Sequence, residues 1–205
     1  MAEIKRRAYR DETYWGKPVP GFGDSRAGLM IIGLAPAAHG GNRTGRVFTG
    51  DSSGTFLFRA LHRAGFSSLP DSIHRDDGLA LTGAYITAVV HCAPPDNKPL
   101  PDEIRNCRSY LIDEFQTLAQ VRAVLALGRI AMDGFITALR ETGRFNGRTS
   151  AFPFGHGKSY QLGPDLPRLF CSYHPSRQNT QTGRLTVAMF DRIFADVKRF
   201  LKSPR

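Results

Sequence analysis

The sequence predicts an α/β fold with a parallel sheet covered on both faces, on two observations. Four short apolar runs, at 29–35, 85–92, 121–127 and 169–173, are separated by stretches with helical periodicity, and strands that alternate with helices build parallel sheets whose faces are both covered. The unusual residues gather in the segments after three of the runs, at 36–51, 93–101 and 174–183. Open α/β sheets bind ligands there, beyond the carboxyl ends of the strands.

The first run ends Met30, Ile31, Ile32, Gly33, Leu34, Ala35 and is apolar throughout, as suits a strand buried on both faces, while Pro36, Gly40 and Gly41 mark where the chain leaves the sheet. Ser52 or Ser53 can cap a helix reaching about Ala64. After the second run, Pro94, Pro95 and Pro99 stiffen a turn that delivers Pro101, Asp102 and Glu103, an opening suited to a helix running to Leu118. Amphipathic patterns at 129–142 and 182–202 complete the helices, and the Gly-, Pro- and Phe-rich segment 145–167 reads as an ordered surface excursion. No repeat, low-complexity tract or dividing linker interrupts the chain, so 1–205 reads as one domain.

A chain of 205 residues with 41% hydrophobic content can bury a sizeable core. Its formal net charge of +10 favours a polyanionic partner, because phosphates neutralised by Lys and Arg release counterions and give affinity without sequence reading. No apolar stretch reaches the roughly 18 residues of a membrane span, and residues 1–7 lack the apolar core of a signal peptide, so a cytoplasmic protein is expected. Cys92, Cys107 and Cys171 form an odd set, which argues against a disulfide framework.

The opening loop, GLAPAAHGGNRTGRVFTGD at 33–51, has neither P-loop spacing nor a Gly-x-Gly-x-x-Gly after the first strand, which counts against nucleotide hydrolysis and dinucleotide binding. It offers a backbone free of bulky side chains from Ala35 to Ala38, an aromatic face at Phe48, and a carboxylate at Asp51 at the start of a helix. An Asp so placed serves equally as an N-cap. The third loop starts at His174 and continues into polar and basic residues suited to phosphate contact, Arg177 among them. The second presents Asn97 and Lys98.

At this point the residues carry a resemblance. Tyr14 and Trp15 with the segment 18–24, the loop 33–51, His91, Cys92, Ala93, Pro94 and Pro95 with Asn97, Lys98 and Pro99, and Ser172, Tyr173 and His174 with 176–184 resemble, in the same order, the family 5 or type B uracil-DNA glycosylases. The likeness spans nearly the whole chain. It implies a three-layer α/β/α sandwich around a central four-stranded, mainly parallel sheet. It also implies a monofunctional hydrolase that excises uracil and other deaminated bases from double-stranded and single-stranded DNA in base excision repair, acts as a monomer and uses no catalytic metal.

By that resemblance, Phe48 stacks on a flipped pyrimidine while Gly33, Ala35, Pro36 and Ala37 contact the base edge. Asp51 supports the cationic sugar and orients water, Asn97 assists with water or base, and His174 donates to the uracil carbonyl oxygen where charge develops. Ser176, Arg177, Gln178, Asn179 and Arg184 press into the DNA. Ala88 occupies the position where the related family 4 enzymes carry a base-reading Asn, so hypoxanthine is expected as a second substrate. The resemblance also implies a structural 4Fe-4S cluster on four cysteines, of which Cys92 and Cys107 match two. The family's other two lie in a Cys-x-x-Cys ahead of the region where this chain begins, and two thiolates alone cannot hold such a cluster. Either the chain is shortened at its N-terminus or this member has dispensed with the cluster.

Cys171 reads as a buried apolar residue. Among the remaining histidines, His39 is expected nearest the site and His91 to face solvent. The competing readings are a family 4-like or a mismatch- or hypoxanthine-specific glycosylase, a non-catalytic DNA-binding module, and a small-molecule α/β enzyme supported by fold pattern alone.

Overall fold

Alternation across the pleat sends Leu29 and Ile31 to one side of the first long strand and Met30 and Ile32 to the other, and all four are fully buried. A strand of that kind needs a helical layer on each face. The computed structural model, which describes residues 5–204, has both. Residues 1–4, part of the segment read above for a signal peptide, lie outside the described residues, as does Arg205.

The elements in chain order are β1 (Phe22–Gly23), β2 (Leu29–Gly33), α1 (Gly41–Thr44), α2 (Ser52–Ala64), β3 (Ala84–Ala88), α3 (Pro101–Thr117), β4 (Ala123–Leu127), α4 (Arg129–Glu141), β5 (Ser159–Gln161), β6 (Arg168–Ser172), α5 (Arg177–Gln181) and α6 (Val187–Lys202). The sheet order is β1-β3-β2-β4-β6-β5. Its four central strands are mutually parallel, with Gly33 opposite Ala88 and Ile31 opposite Leu125. The expected four-strand sheet is thus the centre of a six-stranded one, flanked by antiparallel β1 and β5. Those edge strands are two and three residues long, too short to show a period in the sequence.

Phe58 and Leu61 of α2 and Phe190 and Phe194 of α6 pack on the Leu29, Ile31 and Leu125 face. Leu111 of α3 and Met132, Phe135 and Ile136 of α4 cover Met30, Ile32 and Val124. The three-layer arrangement follows from a sheet that is apolar on both sides.

Of the candidate caps Asp51, Ser52 and Ser53, it is Asp51 that caps α2. Several boundaries differ from expectation: β2 ends at Gly33 rather than Ala35, and β4 begins at Ala123 rather than Val121. The amphipathic pattern expected from 182 breaks into the short α5 and the long α6, because Gly183 turns left-handed at φ 72° and the next apolar side chain, Leu185, is buried before Thr186 caps α6. The run expected to reach Cys92 ends as a strand at Ala88, after which His91 turns inward: it is 2% exposed rather than facing solvent. Its ring stacks on Tyr110 at 4.8 Å, with Nε2 3.9 Å from a Glu114 carboxylate. The Thr87 hydroxyl lies 3.4 Å from His91 Nε2 and so gives the buried ring a hydrogen-bond partner, while the Glu114 carboxylate itself accepts from Gly21 N–H at 3.0 Å, Tyr85 OH at 3.3 Å and the Thr87 hydroxyl. Among the described residues no helix is long and apolar enough to cross a membrane.

Candidate active site

The loops that leave β2, β3 and β6 close around a cavity of about 570 Å³ lined by Ala35, Phe48, Asp51, Asn97, His174 and Arg177, among others. That volume suits a small-molecule or nucleoside-sized ligand.

Asp51 reaches the cavity because it ends the opening loop as the N-cap of α2. It has extended backbone, and its Oδ1 accepts from Gly54 N–H at 2.8 Å. Burial raises its pKa above the usual Asp value, opposed by the Gly54 and Ser53 amides, and among the described residues no cation forms an ion pair with it. Here capping and site placement coincide in one side chain.

Phe48 stands in the left-handed region at φ 52°, a conformation that costs a non-glycine residue about 1–3 kcal/mol and persists only where its surroundings enforce it. The surroundings are two glycines. A Cβ on Gly54 would lie 1.7 Å from the Phe48 carbonyl oxygen, and one on Gly33 would lie 2.6 Å from the ring, so backbone and ring both pack where no side chain fits. Behind this turn Thr49 meets Ser72 hydroxyl to hydroxyl at 2.6 Å. The guanidinium of Arg46, 2% exposed, donates to Thr49 Oγ1 at 3.2 Å, to the His74 carbonyl and to Asp77 at 2.5 Å. Burial pushes the Asp77 pKa up, but Arg46 and the amides of Leu79, Ile73 and His74 outweigh it and hold the carboxyl well below its usual range.

His174 stacks on Phe48 with ring centroids 5.7 Å apart and planes 29° from parallel. Burial lowers its pKa to about 4, which keeps the ring neutral at pH 7. Asn179 Nδ2 donates to the His174 carbonyl at 2.8 Å, and His156 Nδ1 accepts from Tyr173 N–H at 3.3 Å, so both residues brace this loop from behind. Asn97 follows Asp96 in a second left-handed conformation, φ 56° after 51°, at the end of a one-turn 3-10 helix.

The structure brings Ala35, Ala37, Phe48, Asp51, Asn97, His174, Ser176 and Arg177 to one cavity. Gly33 lies behind the Phe48 ring, and Pro36 packs against Gly41. Ala88, 2% exposed, pairs with Gly33 inside the sheet and does not line the cavity. Gln178 points from α5 to solvent, and Arg184 lies over Tyr173 at 4.6 Å. Sequence reasoning missed Arg6 and Tyr9 in the lining and Arg46, Ser72 and Asp77 behind it. No spacing or period marks any of them: Arg6, Tyr9, Ser72 and Asp77 meet the site only through tertiary contact, and Arg46, though in the opening loop, takes its role from partners at 74 and 77.

Cys92 is exposed and Cys107 half-buried, near enough that Cys107, after burial, helps raise the Cys92 thiol pKa. Cys171 is buried elsewhere, its Sγ 3.6 Å from Met132 Sδ and its pKa pushed up to about 12 by burial. No group of three or more His, Cys, Asp or Glu among the described residues could hold a metal ion. The described residues therefore do not fit a four-thiolate cluster.

The family model of the uracil DNA glycosylase superfamily matches residues 20–198. A type-5 uracil-DNA glycosylase of Thermus thermophilus is 52% identical, covering 95% of this chain and 85% of the relative. One from Mycobacterium bovis is 49% identical, covering 97% and 72%. A type-4 uracil-DNA glycosylase of Pyrobaculum aerophilum is more distant, at 33% identity over 80% of this chain and 74% of the relative.

Proposed function

The chain belongs to the uracil DNA glycosylase superfamily, among its type-5 members, and from that premise we propose that it hydrolyses the N-glycosidic bond of uracil in DNA. The observation that carries this reading is a largely buried carboxylate, Asp51, with no ion pair among the described residues, sharing one cavity with a stacked Phe48–His174 pair.

The target nucleotide leaves the duplex and its base stacks on Phe48. As the bond from C1′ to N1 breaks, its electron pair goes to the base and positive charge grows on the sugar. The Asp51 carboxylate faces that charge, worth most in a site from which water is excluded. His174, neutral, offers an N–H to the carbonyl oxygen that gains negative charge, a donor in place before the reaction begins. Water positioned by Asn97 and Asp51 adds to C1′, and the proton it loses balances the released base anion. Ala35, Ala37 and Ala38 leave room around the base and carry no side-chain amide to reject a purine, so hypoxanthine is a second substrate. Arg177, Ser176 and the net charge of +10 serve the DNA backbone. The enzyme is read as one domain acting as a monomer in the cytoplasm, on duplex and single-stranded DNA, and no step runs through an iron-sulfur cluster.

Single-turnover base release from labelled uracil or hypoxanthine duplexes, in a chelating buffer and across pH, tests the proposal. Release of free base is expected. The rate should rise with pH as Asp51 ionises, at a pH above the ordinary Asp value of 3.8, and then stay level through neutrality with no inflection at 6.5, because burial holds His174 near 4. Tight binding with no release would instead favour a non-catalytic DNA-binding module.

Phe48→Ala removes the stacking face. Base–aromatic stacking is worth roughly 1–3 kcal/mol, so kcat/KM for uracil release should fall about fivefold to 150-fold. An unchanged kcat/KM would remove Phe48 from the base pocket.

A further inference from the structure

We propose that His39, oriented by Tyr14, anchors a phosphate subsite at the mouth of this cavity, gripping one backbone phosphate beside the extruded uracil together with Arg6 and Arg177. The proposal rests on the glycosylase reading above.

His39 lines the cavity from the loop after β2, in company with Arg6, Tyr9 and Arg177. Its Nδ1 lies 2.8 Å from the hydroxyl of Tyr14, a residue 8% exposed whose ring meets the imidazole edge-on with centroids 6.0 Å apart. Among the described residues that hydroxyl has no other hydrogen-bond partner, and burial raises its pKa, so it holds a proton for which Nδ1 is the acceptor at hand; we assign the bond in that direction. In that pairing the imidazole, whose own pKa is lowered first by burial and then by Arg6 and Arg43, is neutral and carries its proton on Nε2. With Nδ1 occupied, Nε2–H is the polar atom left for a ligand.

The surroundings are built rather than incidental. Arg43 donates from Nε to the His39 carbonyl at 2.8 Å, lies over the Tyr9 ring at 4.1 Å and pairs with Glu12 at 2.5 Å, which clamps segment 9–14 onto the loop. Trp15 and Gly16 continue the attachment through backbone bonds of 3.1 Å to the carbonyls of Arg43 and Asn42. Arg43 is consumed by these contacts. Arg6 and Arg177, by contrast, form no ion pair among the described residues. One imidazole N–H and two guanidinium groups make a wall of donors. A base edge offers donors as well as acceptors, whereas a phosphate diester offers acceptors only and carries the matching charge. The single carboxylate in the lining, Asp51, is left for the sugar.

The test compares duplexes whose 5′ or 3′ phosphate beside uracil is natural or replaced by a neutral methylphosphonate. Kd and single-turnover rate are measured for the unmodified chain, His39→Ala, His39→Gln and Tyr14→Phe, with a thermal melt of each. Loss of a hydrogen bond to a charged group costs roughly 1.5–3 kcal/mol, so His39→Ala should weaken Kd on the natural duplex about tenfold to a hundredfold and affect Kd more than the saturated rate. At one of the two linkages the methylphosphonate should cost the unmodified chain a similar factor and cost His39→Ala nothing more. Tyr14→Phe should lose severalfold at that same linkage, and His39→Gln, which keeps a donor, should recover part of the loss. If the alanine variant fails to fold, the Gln and Phe variants carry the comparison. Losses that multiply at both linkages, or a natural Kd unaffected by His39→Ala, overturn the subsite. Linkage-sensitive binding by an unmodified chain that releases no uracil supports the subsite and overturns the catalytic reading, which separates the two.

Discussion

Asp51→Ala should lower single-turnover uracil release by roughly a hundredfold to ten-thousandfold while leaving duplex affinity within a few-fold of the unmodified chain. The asymmetry is expected because, in the proposed mechanism, the carboxylate acts on charge that appears only as the bond breaks, and removing such an interaction lowers the rate without weakening ground-state binding. Asp51 is also the N-cap of α2, so Ala alone confounds chemistry with stability. Asp51→Asn separates them, since Asn caps a helix about as well as Asp. Its effect on stability follows from the pKa. The folded value is raised by burial, so ionising Asp51 works against the fold and stability falls as pH rises through that value. Asn escapes this cost. Asp51→Asn should therefore melt no lower than the unmodified chain at pH 7 and still lose most of its activity. An Asn variant that melts lower yet retains its rate would make Asp51 a structural cap and nothing more.

Arg46→Ala should destabilise the protein by about 3–5 kcal/mol, the cost of stripping one partner from a buried ion pair. For a chain of this size that is a fall in Tm of roughly 6–20 °C. The loss has several parts. Asp77, 14% exposed, would remain as a charge without its partner, and the His74 carbonyl and the Thr49 hydroxyl would each lose a donor. Asp77 itself would keep the amides of Ile73, His74 and Leu79, which are not enough to offset burial of the charge. The depressed pKa of Asp77 adds a pH signature: its stabilisation is present above the unfolded pKa and fades as pH falls through the folded value, so the gap between parent and Arg46→Ala should narrow in acid. The double variant Arg46→Ala/Asp77→Ala should be less destabilised than the sum of the two singles. Denaturant melts of the four proteins measure this, and additivity would show that the pair is not coupled. Because Arg46 and Thr49 bracket Phe48, the single variant should also lose activity below its melting temperature.

Much of the architecture was legible because it is written in local periodicity. Apolar runs flanked by helical patterns carry the parallel four-strand centre and both helical layers, and burial of Leu29 to Ile32 on alternating faces follows directly from that pattern. The position of the cavity was legible too, since strand ends are where such sheets bind, and Phe48, Asp51, Asn97 and His174 all stand there. What the pattern could not carry were elements too short to show a repeating period, the two- and three-residue edge strands, and His91, whose buried ring lies beside a carboxylate 23 positions away on α3.

The sequence by itself determined the α/β class, the three loops and the residue types they bring, because hydrophobic alternation and turn residues act over a few positions along the chain. The tertiary structure decided which of those residues share a cavity and in what state. Burial, which local sequence does not encode, raises the pKa of Asp51 and lowers that of His174. Close packing against Gly33 and Gly54, with Arg46 and Asp77 behind, holds Phe48 in a backbone conformation it would not adopt alone. Tyr14 reaches His39 across 25 positions, a contact that exists only once the chain has folded.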